Sequence, residues 1–143
     1  MSAHEAGGAH VLQVELVTPD GPVFVDEARM VVVPGAEGEL GVLPRHSALV
    51  ARLHPGETRI RQGDDSWVAY ATGWGYFKVQ ADTASVLVSS AVLTSEVDLG
   101  QAERDRDEAQ ARLQAAGDED TPERRRAQAD VEDAENRLRV GRG

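Results

Sequence analysis

Ser95-Glu96-Val97-Asp98 is the stretch at which this chain of 143 residues changes from one kind of polymer to another. Residues 1–95 hold 6 basic and 11 acidic side chains, whereas residues 96–143 hold 9 and 14 in half the length. All six aromatics (Phe24, Trp67, Tyr70, Trp74, Tyr76, Phe77) and five of the six prolines precede the junction. The hydrophobic period changes at the same place, from about two residues to between three and four. That change predicts two architectures in succession, strands and then helices.

Upstream of the junction, Leu12, Val14 and Leu16 alternate with Gln13 and Glu15, the pattern of a half-buried strand. Pro19-Asp20-Gly21-Pro22 reads as a turn, because proline presets φ and glycine accepts a positive φ. A second strand runs through Val23–Val33 to Pro34-Gly35. Arg59-Ile60-Arg61, Trp67–Thr72, Tyr76–Gln80 and Ala84–Ser89 follow, separated by Gly63-Asp64-Asp65-Ser66, Gly73-Trp74-Gly75 and Ala81-Asp82-Thr83. Eight or more short strands spaced in this way predict a sandwich or barrel. Each buried Val, Leu or Ile contributes about 1.5–3 kcal/mol of transfer free energy, enough over the whole segment for a rigid domain.

Downstream, Leu99, Ala102, Ala109, Leu113 and Ala116 step by threes and fours, with Arg106 in the one missing place. Ala127, Val131, Ala134 and Leu138 repeat the pattern. Ser95-Glu96-Val97-Asp98 reads as a capping box, Gly117 as a C-terminal cap, and Thr121-Pro122 as the start of a second helix. The short connection Asp118-Glu119-Asp120 makes the two helices antiparallel neighbours. The fold class is thus α+β: an all-β sandwich over 11–95, then a two-helix hairpin over 96–143, with a disordered tail over 1–10. An alanine-rich seam buries little apolar area, so the hairpin is expected to dock weakly and to be able to leave the sandwich.

Composition removes several functions. Without cysteine there is no disulfide framework, thiolate metal site or thiol nucleophile. No apolar run approaches the roughly 18 residues of a membrane span, and residues 1–10 lack the pattern of a secretory signal. A net charge of −10 opposes binding to nucleic acid or anionic lipid, so any place at a membrane must come through a protein partner. His4, His10, His46 and His54 have no ligand spacing, so no metal is expected. Glu39 and His46 would make an acid/base pair, but no nucleophile or oxyanion loop accompanies them. The only lysine, Lys78, is not part of a phosphate loop.

Two features remain as binding elements. Gly38-Glu39-Leu40-Gly41-Val42-Leu43-Pro44-Arg45-His46 reads either as a strand with a bulge or as a loop presenting Leu43 and His46 to a partner. Arg124, Arg125, Arg126, Arg137, Arg139 and Arg142 make the second helix basic, which is either a solvated surface or a contact for an acidic protein.

The same Gly38–His46 stretch is similar to the signature G-E-L-G-x-L-P-x-H. With Val17-Thr18-Pro19-Asp20-Gly21-Pro22-Val23 and the ending Ala134-Glu135-Asn136-Arg137-Leu138-Arg139-Val140, it resembles the epsilon-subunit family of the bacterial F-type, rotary and proton-translocating ATP synthase (delta in mitochondria). The resemblance runs from Val11 to Val140. It implies a non-catalytic subunit of the central stalk, peripheral on the cytoplasmic face of the cell membrane. It implies binding to the gamma subunit and the c-ring, with Glu39, Leu43, Pro44 and His46 as contact residues. It also implies coupling of proton-driven rotation to ATP synthesis, and a hairpin that reaches the alpha/beta catalytic head and inhibits hydrolysis. Arg124, Arg125, Arg126 and Arg139 are the candidates for that contact.

The chain departs from the family at three places. Members that bind ATP use Ile or Leu, Asp, two variable residues, Arg and Ala; here Val97-Asp98-Leu99-Gly100-Gln101-Ala102 lacks the arginine. Asp133 stands where the first of two arginines on the last helix belongs, and only Arg137 remains. Loss of two cations removes charge-assisted bonds to phosphate, so Asp98 and Arg137 are a remnant and weak or no ATP binding is expected. Trp74-Gly75 replaces a usual Gly-Gly doublet, where an exposed indole would alter the gamma contact, and Lys78 replaces a usual acid. Two other readings fit the architecture. One is a hairpin factor that carries Asp118, Glu119 and Asp120 into RNA polymerase to hold Mg²⁺; the other is an unrelated β-sandwich binding module.

Overall fold

The computed structural model describes residues 10–143; apart from His10, the tail expected over 1–10 lies outside the described residues. Nine strands come first: β1 (Leu12–Thr18), β2 (Gly21–Gly35), β3 (Gly38–Val42), β4 (Leu49–Leu53), β5 (Gly56–Gln62), β6 (Trp67–Thr72), β7 (Gly75–Gln80), β8 (Thr83–Val88) and β9 (Ala91–Leu93). A 3₁₀ turn over Thr94–Glu96 leads to helices α1 (Leu99–Ala115) and α2 (Pro122–Gly141). The β-sandwich followed by two helices is the architecture expected.

The strands run in the order β1-β8-β7-β4-β2-β5-β6-β9, with β3 on β2 and with β1 also pairing β2. Strand β2 belongs to both layers: its first half pairs β1 (Leu16↔Phe24) and its second half pairs β3 and β5 (Val31↔Val42, Val31↔Ile60). Between them the register to β5 slips, Ala28 opposing Gln62 and Met30 opposing Arg61. Arg29 is the extra residue of this bulge. An inserted residue reverses which parity faces inward: Phe24 and Ala28 pack on the core before it, Val31 and Val33 after it. The core between the layers is Leu12, Val14, Leu16, Leu53, Ile60, Phe77, Val79, Ala84 and Val86, all at 0–1% exposure, with Tyr70 and Val88 beside them.

The strand directions give the sandwich two ends. One end carries the β3–β4 connection and the β7–β8 turn. The other carries Gly56, Thr72, Gly73, Trp74, Ser89 and Ser90, and helix α2 lies against it. Asp98, not Ser95, caps α1: its carboxylate accepts from the Gln101 amide at 3.0 Å. The expected capping box at Ser95 is absent because Val97 is extended (φ −64°, ψ 123°), which starts the helix at Leu99. Thr121 caps α2 through Arg124 N–H at 3.1 Å, and Gly117 closes α1 with φ +76°, both as expected. Ala102, Ala109, Ala127, Val131, Ala134 and Leu138 are the buried seam.

The dock onto the sandwich is polar as well as apolar. Asn136 is fully buried, and its Nδ2 donates to the carbonyls of Gly56 (3.0 Å) and Thr72 (3.2 Å). Ser90 donates to Asp133 Oδ1 at 3.0 Å, and Arg137 lies 3.7 Å from Asp133 and 3.1 Å from Asp105. A seam read only from its apolar residues misses these bonds, which leave no hydrophobic period.

Burial pushes the Asp133 carboxyl above its ordinary value of 3.8, against Ser90 and Arg137, with Asp130 and Asp105 adding to the rise. The hydrogen bond from Gln101, with Arg137 beside it, holds Asp105 below the same value. A raised native pKa contributes docking stability that is present below the undocked value and lost as pH rises through the docked one. Asp105 is held low by Gln101 on its own helix and by Arg137 of α2, so its contribution, present above 3.8 and lost as pH falls below that, is to the hairpin itself rather than to the dock. Docking is therefore expected to tighten as pH falls from neutrality toward the carboxylate range, before Asp105 is protonated. Asp133→Asn is expected to flatten that dependence. Trp74 fluorescence in a Trp67→Phe background measures both; a pH-independent wild type is the contrary result.

Candidate functional site

Leu43, Pro44, Arg45 and His46 form one turn at the end of the sandwich opposite α2. His46 N–H donates to Leu43 O at 3.2 Å. Pro44 takes the second position, where its fixed φ suits a turn, and Arg45 the third with φ +68°. Leu43 is 56% exposed, and His46 is half-buried with Nδ1 2.8 Å from Ser47 O. These three contact candidates, Leu43, Pro44 and His46, are brought together.

Glu39 is not with them. It lies on β3 opposite Pro34, four residues and about 13 Å along the strand from Leu43. Its carboxylate meets Arg59 at 3.3 Å, and the Arg59 guanidinium sits 5.8 Å from the Trp67 ring centre. The imagined Glu39–His46 pair is therefore not formed. Gly41, next along, is a site of close approach: a Cβ there would meet Met30 Cε at 2.9 Å. The segment is a strand that ends in a turn, without the expected bulge; the bulge is in β2.

The outer face of the β4-β7-β8-β1 layer is the second feature. Arg52, Tyr76, Leu87 and Val17 are opposite one another in one row; Val50, Lys78, Ser85, Glu15 and Val25 are opposite in the next. Val50 is 71% exposed, Val25 56%, Tyr76 55% and Leu87 48%. Tyr76 and Leu87 adjoin, with Val50 diagonal to Tyr76, whereas Val25 is set apart by Lys78, Ser85 and Glu15; adjoining exposed apolar residues on one face mark an interaction surface. The individual residues are visible in the sequence; the pairing that makes them neighbours is not. Trp74 borders this face, lining a depression with Arg52 and Tyr76. It is half-buried and also lines a groove of about 790 Å³ with Arg52, Ser89, Ser90 and α2.

The remnant of a nucleotide site is occupied by its own side chains. Asp98 caps α1, Gln101 Nε2 donates to Asp105 at 2.7 Å, and Arg137 is shared by Asp105 and Asp133. The arginines proposed for an inhibitory contact are not one patch. Arg125 pairs Asp120 at 2.6 Å and Arg124 donates to Gly117 O, both near the helix connection. Arg126 is exposed beside them. Arg139 lies about 22 Å along the axis and donates to Asn136 Oδ1 at 2.7 Å. Among the described residues no helix is long and apolar enough to cross a membrane, and no cluster of three or more metal-ligating side chains is present.

Residues 11–94 match the family model for the ATP synthase delta/epsilon chain beta-sandwich domain. An ATP synthase epsilon chain of Lacticaseibacillus casei is 38% identical over 135 residues, covering 92% of this chain and 94% of that one. The epsilon chain of Halalkalibacterium halodurans is 39% identical over 129 residues, covering 90% and 96%. Among solved structures, a chain of the Euglena gracilis mitochondrial ATP synthase (OSCP/F1/c-ring) shares the fold. Its TM-score is 0.70 and its identity 22%, over 90% of this chain and 79% of that one. A chain of the Tetrahymena thermophila central stalk/c-ring structure aligns with TM-score 0.60 at 20% identity, over 92% and 93%. These findings favour the rotary reading over the polymerase factor and the unrelated module. The fold, the two motifs and the relatives converge: the chain belongs to the epsilon chains of ATP synthase.

Proposed function

We propose that this chain is a non-catalytic subunit of the central stalk, joining the gamma subunit to the c-ring beneath the alpha/beta catalytic head. The observation that carries the proposal is the exposed apolar pair Tyr76 and Leu87, with Val50 diagonal to Tyr76, on the outer face of the β4-β7-β8-β1 layer. A rotor subunit must transmit torque without slipping, and burying such a face on gamma supplies non-directional free energy of about 25 cal/mol per Å². The polar turn with Pro44 and His46, carrying Leu43 at its tip, takes the ring. The chain's relatives are epsilon chains, a subunit of the complex, and its role is read as coupling rotation without doing chemistry. Its place is the cytoplasmic face of the bacterial membrane, peripheral and held by these protein contacts, since a net charge of −10 repels lipid and nucleic acid alike.

Leu87→Arg places an unpaired charge in the centre of the face. It is expected to weaken binding to the gamma–c-ring rotor by at least tenfold, with the isolated chain's melting temperature unchanged. Unchanged affinity rejects the face as the rotor contact.

We further infer that the hairpin restrains hydrolysis through its arginines once it leaves the sandwich. The polar dock supports a reversible attachment. Deletion of residues 96–143 is expected to raise the ATPase rate of the assembled enzyme, and an unaltered rate excludes restraint.

The nucleotide remnant is proposed to be silent. Arg137 is committed to two aspartates, and the adjoining cleft carries Asp105, Glu108, Asp130 and Asp133 against Arg112 and Arg137. Four carboxylates and two guanidiniums disfavour a polyphosphate. Calorimetric titration with MgATP is expected to give no micromolar site.

A further inference from the structure

Arg45 occupies the third position of the Leu43–His46 turn with φ +68°. Glycine adopts that conformation freely; arginine does so at a cost in steric strain. Arg45 (+68°) lies against the β7–β8 turn, whose two central residues, Ala81 (+51°) and Asp82 (+60°), take the positive φ usual for a two-residue hairpin turn. Strained backbone persists only where its surroundings hold it, and it gathers at functional sites.

The His46 N–H to Leu43 O bond closes the turn, and one side chain from the β7–β8 turn ties it to the rest of the sandwich. Asp82 Oδ1 accepts from the Arg45 backbone N–H at 2.6 Å, across 37 residues of sequence. Asp82 is itself fixed, because its own carbonyl accepts from Gln13 N–H on β1 at 2.8 Å and it sits in the tight β7–β8 turn. An ionised carboxylate bonded to an amide is among the stronger hydrogen bonds of an exposed site. The start of β1, the β7–β8 turn and the β3–β4 turn are thereby tied at one residue.

We propose that Asp82 is the positioning residue of the ring-contact turn: it holds Arg45 in the left-handed conformation and so sets the direction in which Leu43 and His46 face the partner. This rests on the reading of Leu43–His46 as a rotor contact. The role belongs to this chain's own residues, since a glycine at position 45 needs no such tie.

Three full-length variants test it. Asp82→Gly keeps the positive φ but removes the acceptor; Asp82→Asn keeps an acceptor oxygen; Leu43→Ala removes a contact side chain. In Asp82→Gly the Arg45 amide is expected to exchange with solvent about tenfold faster, and affinity for the gamma–c-ring rotor to fall about tenfold, the scale of one charge-assisted bond. Asp82→Asn is expected to restore both. Unchanged Arg45 exchange in Asp82→Gly overturns the positioning role whatever the partner does. Affinity lost equally in Asp82→Asn and Asp82→Gly also overturns it, because the charge would then touch the partner directly. Faster Arg45 exchange with affinity unchanged in both Asp82→Gly and Leu43→Ala rejects the rotor contact instead, while the tie to the turn stands.

Discussion

One strand closes the sandwich. Gly21–Gly35 pairs β1 with its first half and β3, β4 and β5 with its second. A strand that passes between two layers must reverse the side on which it offers its core residues. The extra residue Arg29 does this, moving the inward set from Phe24 and Ala28 to Val31 and Val33. Its side chain is held by Gly63 O at 3.1 Å and by Asp65 at 3.5 Å, so the bulge is tied to the β5–β6 loop. The placement of the two ends of the sandwich, and with it the separation of the Leu43–His46 turn from the hairpin dock, follows from this strand.

The fold was largely legible because its signals are periodic and local. Leu12, Val14 and Leu16 alternate and are all buried; Trp67–Thr72 is a strand to the residue; Thr121, Pro122 and Gly117 mark helix ends by chemistry that acts within one turn. What stayed hidden is long-range. The bulge at Arg29 sits in an unbroken run of strand-forming residues and shows only when β5 is laid beside it. The capping of α1 by Asp98 rather than Ser95 depends on where the 3₁₀ turn ends.

The site divides in the same way. Leu43, Pro44 and His46 lie within four residues and were legible as one turn. Glu39 belongs to the same motif, yet it faces Arg59 rather than His46, since a strand carries it toward the far end of the sandwich. The rows Val17-Leu87-Tyr76 and Val25-Glu15-Ser85-Lys78-Val50 join residues up to 70 positions apart by register alone. Asn136 is a polar residue in a helix otherwise read by its apolar seam, and its two carbonyl partners come from separate strands. No periodicity announces such a residue.

The composition of that dock bears on what the sandwich becomes when the hairpin is gone. Gly56 O, Thr72 O and Ser90 Oγ then face solvent, and each finds water as readily as it found Asn136 or Asp133. An apolar dock of equal strength would leave a sticky patch, prone to self-association whenever the helices swung away. The uncovered end here stays wettable. Opening of the hairpin would therefore expose polar groups at this end rather than add a sticky patch there.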